Sequence, residues 1–180
     1  MYRLFVALSI PEATVAALER LQSGLVGARW RPRENFHLTL RFIGETDRHG
    51  FTEVRSMLAK ITTPGFDLTL NGLGYFGDRK PRALWVGAPA TPPLLHLQAK
   101  VETAVKRAGF PCESRKFTPH VTLASLKGAS RDAAERFCAA NGLLSDTAFP
   151  VDAFHLYSSR LGGAASHYTI EESYMLSSSR

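Results

Sequence analysis

At 180 residues the chain is one large domain or two small ones, long enough to bury a sizeable core. Hydrophobic residues make up 44% and charged residues 21%, which is ordinary for a globular protein and excludes a disordered or collagenous chain. The net charge of +6 suits contact with phosphate backbones, but a solvated basic surface has the same composition, so charge alone does not choose between them.

In chain order, residues 2–9 read as a strand. RLFVALSI is too short to span a bilayer and runs directly into Pro11, so it is neither a transmembrane helix nor a signal peptide. Pro11 opens a helical stretch to about Gly24, with Val15, Leu18, Leu21 and Leu25 at helical spacing. Residues 36–43 form a strand, and a helix follows from about Asp47 to Lys60. Residues 66–74 and 82–88 pair as a hairpin across GYFGDRKP. Pro92 and Pro93 open a helix to about Ala108, and residues 119–126 form another strand. Ser130 caps a helix to Ala140 that Asn141-Gly142 ends. Residues 150–158 and 167–176 form a last hairpin across SSRLGGAAS. The order is neither all-β nor a regular βαβ series. It predicts an α+β, bilobal, duplicated fold: two antiparallel sheets backed by helices, with the active site in the cleft between the lobes, and residues 1–180 as a single domain. Cys112 and Cys138 are isolated thiols, which fits a reducing cytoplasm and core packing.

Two of these strands carry the same unusual tetrapeptide, HLTL at 37–40 and HVTL at 120–123. On a strand, alternate side chains share a face, so His37 lies with Thr39 and His120 with Thr122. One such copy is ordinarily a half-buried polar strand. The second lies 83 positions on (120 − 37), and the same offset carries Phe66 to Phe149, Leu73 to Leu156 and Trp85 to Tyr168 without a gap. The chain thus reads as two copies of one unit. A duplication that kept only core positions does not explain why a polar His and Thr recur inside apolar strands.

Paired His-x-Thr-x motifs at this separation resemble the two-histidine phosphoesterase superfamily, and within it the bacterial RNA 2′,3′-cyclic phosphodiesterases, also called 2′-5′ RNA ligases. The resemblance covers nearly the whole chain: YRLFVALSIP at 2–11, RWRPRENFHLTLRFIGE at 29–45, PRALWVG at 81–87, KFTPHVTLASLKG at 116–128 and FHLYSSRLGGAASHYTIEESYML at 154–176. It implies hydrolysis of a 2′,3′-cyclic phosphate to a 2′-phosphate, reversible as 2′-5′ joining, with His37 as proton donor and His120 as proton acceptor. Spacing alone does not distinguish those two roles. It also implies RNA ends or cyclic nucleotides as substrates, no membrane, no cofactor and a monomer. Where relatives commonly read H-x-T-L-A-R, this chain has HVTLAS, with Ser125 at the Arg position and Lys127 two places on.

The residues themselves favour metal-free acid–base chemistry. Neither motif contains Asp, Glu or Cys, and His49, His96, His155 and His167 are scattered without metal-ligand spacing. A G-x-S-x-G elbow, a P-loop and a dinucleotide fingerprint are all missing. Imidazole, with an ordinary pKa near 6.5, suits both halves of a proton exchange at phosphorus, and Thr39 and Thr122 would donate to the non-bridging oxygens. Arg29, Arg31, Arg33 and Arg41 lie near the first motif and Arg115, Lys116 and Lys127 near the second. Arg41, two residues past Thr39, shares the catalytic face if the strand stays regular and would then bind phosphate; otherwise it is a strand-end Arg reaching solvent. Tyr75 and Phe76 are candidates to stack a base, Phe36 reads as core, and the matched positions of Trp85 and Tyr168 read as packing. Two alternatives remain: a phosphodiesterase for another small cyclic or 2′-5′-linked nucleotide, and a non-catalytic RNA-binding module, against which the intact His and Thr pairs speak.

Overall fold

A computed structural model describes residues 1–142, 148–161 and 166–178. Among them are β1 (Tyr2–Ser9), α1 (Glu12–Glu19), β2 (Ala28–Trp30), β3 (His37–Thr46), α2 (Arg48–Leu58), β4 (Phe66–Leu68), β5 (Asn71–Phe76), β6 (Ala83–Gly87), α3 (Pro92–Arg107), β7 (His120–Leu126), α4 (Arg131–Asn141), β8 (Phe149–Val151), β9 (Ala153–Leu161) and β10 (Ser166–Met175). The turn of the last hairpin, at 162–165, lies outside the described residues.

Local chemistry sets the helix starts. The Asp47 carboxylate accepts the Gly50 N–H at 2.9 Å, and the Ser130 hydroxyl accepts the Ala133 N–H at 3.2 Å. Proline fills the first turn of α3, where its missing N–H costs nothing. α1 stops at Glu19, earlier than its apolar spacing predicts. The chain then turns into β2, a short strand that the sequence pattern did not suggest. Only glycine fits where it enters, because a Cβ on Gly27, at φ +83°, would come within 2.6 Å of the Lys127 carbonyl.

The strands run β10-β9-β1-β3-β7-β6-β5, with β2 beside β7. Every pairing between them is antiparallel, and β4 and β8 form a small second sheet. The large sheet is two four-stranded halves joined at one pairing, Leu38 with Val121, between the two motif strands. The 83-residue offset runs through the architecture: β3 maps onto β7, α2 onto α4 and β4 onto β8. It also maps β5 onto β9, yet β5 joins the half holding β7 while β9 joins the half holding β3. It maps β6 onto β10 in the same way, so the two copies have exchanged a hairpin and each half of the sheet contains chain from both copies.

Alternation buries one face. Leu4, Val6, Leu8, Leu38, Leu84, Val86, Val121 and Leu156 meet Val15 and Leu18 of α1, Val54 and Leu58 of α2, Leu97 and Val101 of α3 and Phe137 of α4 in one core. These four helices therefore cover the same face. The opposite face carries a small separate cluster, Phe5, Ala7 and Tyr157 with Tyr168 against it.

Candidate active site

The uncovered face is where the motifs meet. Carrying the Leu38–Val121 register one residue each way sets His37 across from Thr122 and Thr39 across from His120. All four share the face opposite the helices. The imidazoles occupy a diagonal of this square, where side-chain origins lie roughly 7–8 Å apart, enough to admit one phosphate between them. Two surface grooves, one between α2 and β10 and one between α2 and α3, contain none of the four.

Both imidazoles are fixed by the same local device. His37 Nδ1 lies 2.8 Å from the Asn35 carbonyl, and His120 Nδ1 lies 2.7 Å from the Thr118 carbonyl. A carbonyl only accepts, so Nδ1 carries the hydrogen in each ring and Nε2 is left to exchange protons. In both cases the carbonyl belongs to the residue two places earlier. Asn35 sits in a 3-10 turn, and its side-chain amide donates to the Ser166 carbonyl at 2.9 Å, tying the entry to β3 against β10.

Aromatic rings pack around each imidazole. His37 meets Phe5 at 4.8 Å, Tyr168 edge-on at 5.2 Å and Tyr157 at 6.1 Å between ring centroids. His120 meets Phe76 edge-on at 4.9 Å and Trp85 at 6.1 Å. Trp85 lies across Gly74, where a Cβ would meet the indole at 2.3 Å. Desolvation in this setting pushes His37 down to about 4, with smaller contributions from the charges of His120 and Arg31; the hydrogen bond to Asn35 opposes it. Burial lowers His120 as well. Trp85 and Tyr168 are packing residues, as their matched positions predict, and what they pack are the two histidines. Phe36 is core.

Arg41 is not on this face. Val6 pairs with Arg41 and Ala7 with Thr39, so Leu40 is an extra residue, a β-bulge. Leu40 and Arg41 then both point toward the helices and Phe42 takes the site face. Arg41 is 7% exposed, 2.6 Å from the Glu102 carboxylate of α3 and 3.8 Å from that of Glu113, and its guanidinium also donates to the Phe42 and Pro111 carbonyls. The regular alternation assumed from sequence fails at that bulge, and the phosphate-binding role goes with it. The second motif has the matching bulge at Leu123, because Leu84 pairs with Ala124 and Trp85 with Thr122. Ser125 is thereby brought to the site face. Of the stacking candidates, Phe76 reaches the site, whereas the Tyr75 hydroxyl donates to Glu135 of α4 on the covered face, at 3.1 Å.

His155, scattered among the other histidines in the sequence, is brought onto the site face with two serines. His155, cross-strand from Ala7, has Nδ1 2.8 Å from the Ser173 hydroxyl and Nε2 3.3 Å from that of Ser9. Only the pairing of β1 with β9 and of β9 with β10 reveals it, since those three residues share no sequence motif.

This geometry can be set beside known proteins. The family model for the 2′-5′ RNA ligase superfamily matches residues 10–163. The chain belongs to that superfamily. An RNA 2′,3′-cyclic phosphodiesterase of Thermotoga maritima is 33% identical over 171 residues, covering 88% of this chain and 87% of that protein. The enzyme of that name from Aquifex aeolicus is 28% identical over 177 residues, covering 96% and 94%. Among solved members, Escherichia coli LigT complexed with 3′-AMP superposes with a TM-score of 0.79 at 26% identity over 97% of this chain and 98% of that one. A Thermus thermophilus protein reaches a TM-score of 0.83 at 25% identity, covering 99% and 100%. The bilobal α+β fold of the superfamily is the fold of this chain.

Proposed function

We propose that the protein hydrolyses the 2′,3′-cyclic phosphate of RNA ends or nucleotides to a 2′-phosphate by acid–base catalysis between His37 and His120. The observation that carries this reading is the matched pair of imidazoles, each with Nδ1 tied to a backbone carbonyl and, among the described residues, no hydrogen-bond partner at Nε2, on one face with two threonines. The names of the Thermotoga and Aquifex relatives support it.

In the step proposed, a water oxygen bonds to phosphorus while the P–O3′ bond breaks. His120 Nε2 takes the water proton, and His37 Nε2 gives one to the departing O3′. Thr39 and Thr122 donate hydrogen bonds to the non-bridging oxygens, whose charge changes most in the transition state. A 5′-hydroxyl from a second RNA in place of water gives a 2′-5′ diester by the same movements, which is the reverse direction of diester cleavage. The chain is proposed to act in the cytoplasm as a monomer. Cys112 and Cys138 are both free thiols, and among the described residues no helix is long and apolar enough to cross a membrane.

One observation favours the opposite assignment of acid and base. His37 is pushed to about 4, so it is neutral in the free protein at pH 7, which suits a base. As the acid it must take its proton when the anionic phosphate binds, since a neighbouring negative charge favours imidazolium. A p-nitrophenyl phosphodiester of a nucleoside separates the two, because its leaving group needs no acid. With His37 as acid, His37→Ala retains far more activity on that substrate than on the cyclic phosphate, and His120→Ala fails on both. The reverse result assigns His120 as acid. Failure of wild-type protein to open any 2′,3′-cyclic nucleotide overturns the function itself.

A further inference from the structure

The strand that sequence reading missed adjoins the reacting centre. β2 and β3 occupy the same edge of β7: Leu38 pairs with Val121, the Arg31 N–H donates to the Leu123 carbonyl at 2.8 Å, and Trp30 pairs with Ala124 and Arg29 with Ser125. The Gln22 side chain locks this junction, donating to the Arg31 carbonyl at 2.7 Å and the Leu123 carbonyl at 3.5 Å. Ala28 and Trp30 pack into the helix-covered core, with Trp30 6.0 Å from the Phe137 ring. Alternation therefore puts Arg29 and Arg31 on the catalytic face, Arg29 beside Ser125 and Arg31 beside Thr122 and His37. The charge of Arg31 is felt at His37. The other arginines flanking the motifs have acidic partners: Arg33 with Glu12 and Glu19, Arg41 with Glu102, Arg115 with Glu113. Among the described residues neither Arg29 nor Arg31 makes an ion pair, and Arg29 is exposed.

We propose, resting on the cyclic-phosphodiesterase reading above, that β2 is a phosphate ladder: Arg31 contacts the reacting phosphate, and Arg29 holds the next phosphodiester of an RNA chain. A terminal 2′,3′-cyclic phosphate blocks both ribose hydroxyls, so the only further phosphate is the one on O5′. Two residues along a strand are roughly 6.5–7 Å apart, a separation that two long guanidinium side chains can carry to successive phosphates. Arginine suits this because its planar fork holds phosphate oxygens in pairs. The ladder makes the site a reader of RNA ends in preference to free cyclic mononucleotides.

The test compares a dinucleotide ending in a 2′,3′-cyclic phosphate with the corresponding cyclic mononucleotide, in wild type, Arg29→Gln, Arg31→Gln and Lys106→Gln, whose charge lies on α3. Wild-type kcat/KM is expected to favour the dinucleotide by about 10-fold or more, the scale of one charged hydrogen bond. Arg29→Gln brings that ratio close to one, Arg31→Gln depresses both substrates, and Lys106→Gln keeps the wild-type ratio. The dinucleotide should also show a log–log salt slope steeper by about 0.7, one phosphate's worth on a single strand, and Arg29→Gln should remove the excess. A wild-type ratio near one, or an Arg29→Gln ratio equal to wild type, overturns the ladder. Equilibrium binding of the 2′-phosphate-ended mono- and dinucleotide products separates the two claims. Arg29-dependent binding without any turnover keeps the ladder and overturns the hydrolase reading, whereas turnover with an Arg29-independent ratio overturns the ladder alone.

Discussion

Burial against Phe5, Tyr157 and Tyr168 pushes His37 from an ordinary 6.5 down to about 4, and this couples the charge of the ring to stability. Above pH 6.5 the ring is neutral in folded and unfolded chains, and it contributes nothing to pH dependence. Between 6.5 and about 4 the unfolded chain takes up a proton that the folded chain refuses, so stability falls as pH falls through that window. The full drop corresponds to about 3 kcal/mol for this one group. Urea midpoints at pH 7.5 and 4.5 should therefore converge in His37→Gln relative to wild type; an unchanged difference means that His37 is not held neutral. At the same scale, Thr39→Val and Thr122→Val keep β-branching and remove one hydroxyl each. Each is expected to lower kcat by about 10–100-fold at unchanged stability, the scale of one or two hydrogen bonds to a charged oxygen. Full activity in both would make the threonines structural.

The two bulges decide which side chains reach the site. Each follows its His-x-Thr pair by one residue, at Leu40 and Leu123, and each reverses the alternation behind it. Arg41 is thereby turned into an ion pair that joins β3 to α3, and losing one partner of a buried pair is strongly destabilising. Arg41→Ala should cost about 3 kcal/mol or more in a denaturant titration. Folded Arg41→Ala protein should retain most of its kcat, whereas unchanged stability with lost activity would return Arg41 to the site. The motif strands, the cap at Ser130 and the proline start of α3 were legible because they depend on side chains close in sequence. The bulges were not, since an extra residue in one strand is defined only by its partner strand. β2 was missed for a similar reason: three residues are too few to show a pattern and become a strand only because β7 offers an edge beside Gly27. The grouping of His155 with Ser9 and Ser173 likewise exists only across three strands.

For the whole molecule, the 83-residue repeat was visible in the sequence, down to Phe66 with Phe149 and Trp85 with Tyr168, but the exchange of the β5–β6 and β9–β10 hairpins between copies was not. The exchange interlocks the halves, so calorimetry should give one cooperative unfolding transition; two resolved transitions would mean that the lobes fold separately. It also fixes the seam at which His37 and His120 meet, and the catalytic claim rests on that seam. The most direct test is a pH–rate series on a cyclic mononucleotide, with chelator present, for wild type, His37→Ala and His120→Ala. The two imidazoles sense one another, so the limbs belong to the pair. For wild type kcat/KM should be bell-shaped, with its alkaline limb at or below the ordinary histidine value because burial lowers both rings. The limbs of kcat should lie higher, because bound phosphate favours imidazolium. Each alanine variant should lose about 10²–10⁴-fold in folded protein and with it one limb of the bell. A flat wild-type profile from about pH 5 to 9, near wild-type kcat in either folded variant, or a strict need for an added divalent ion would contradict catalysis by the paired histidines.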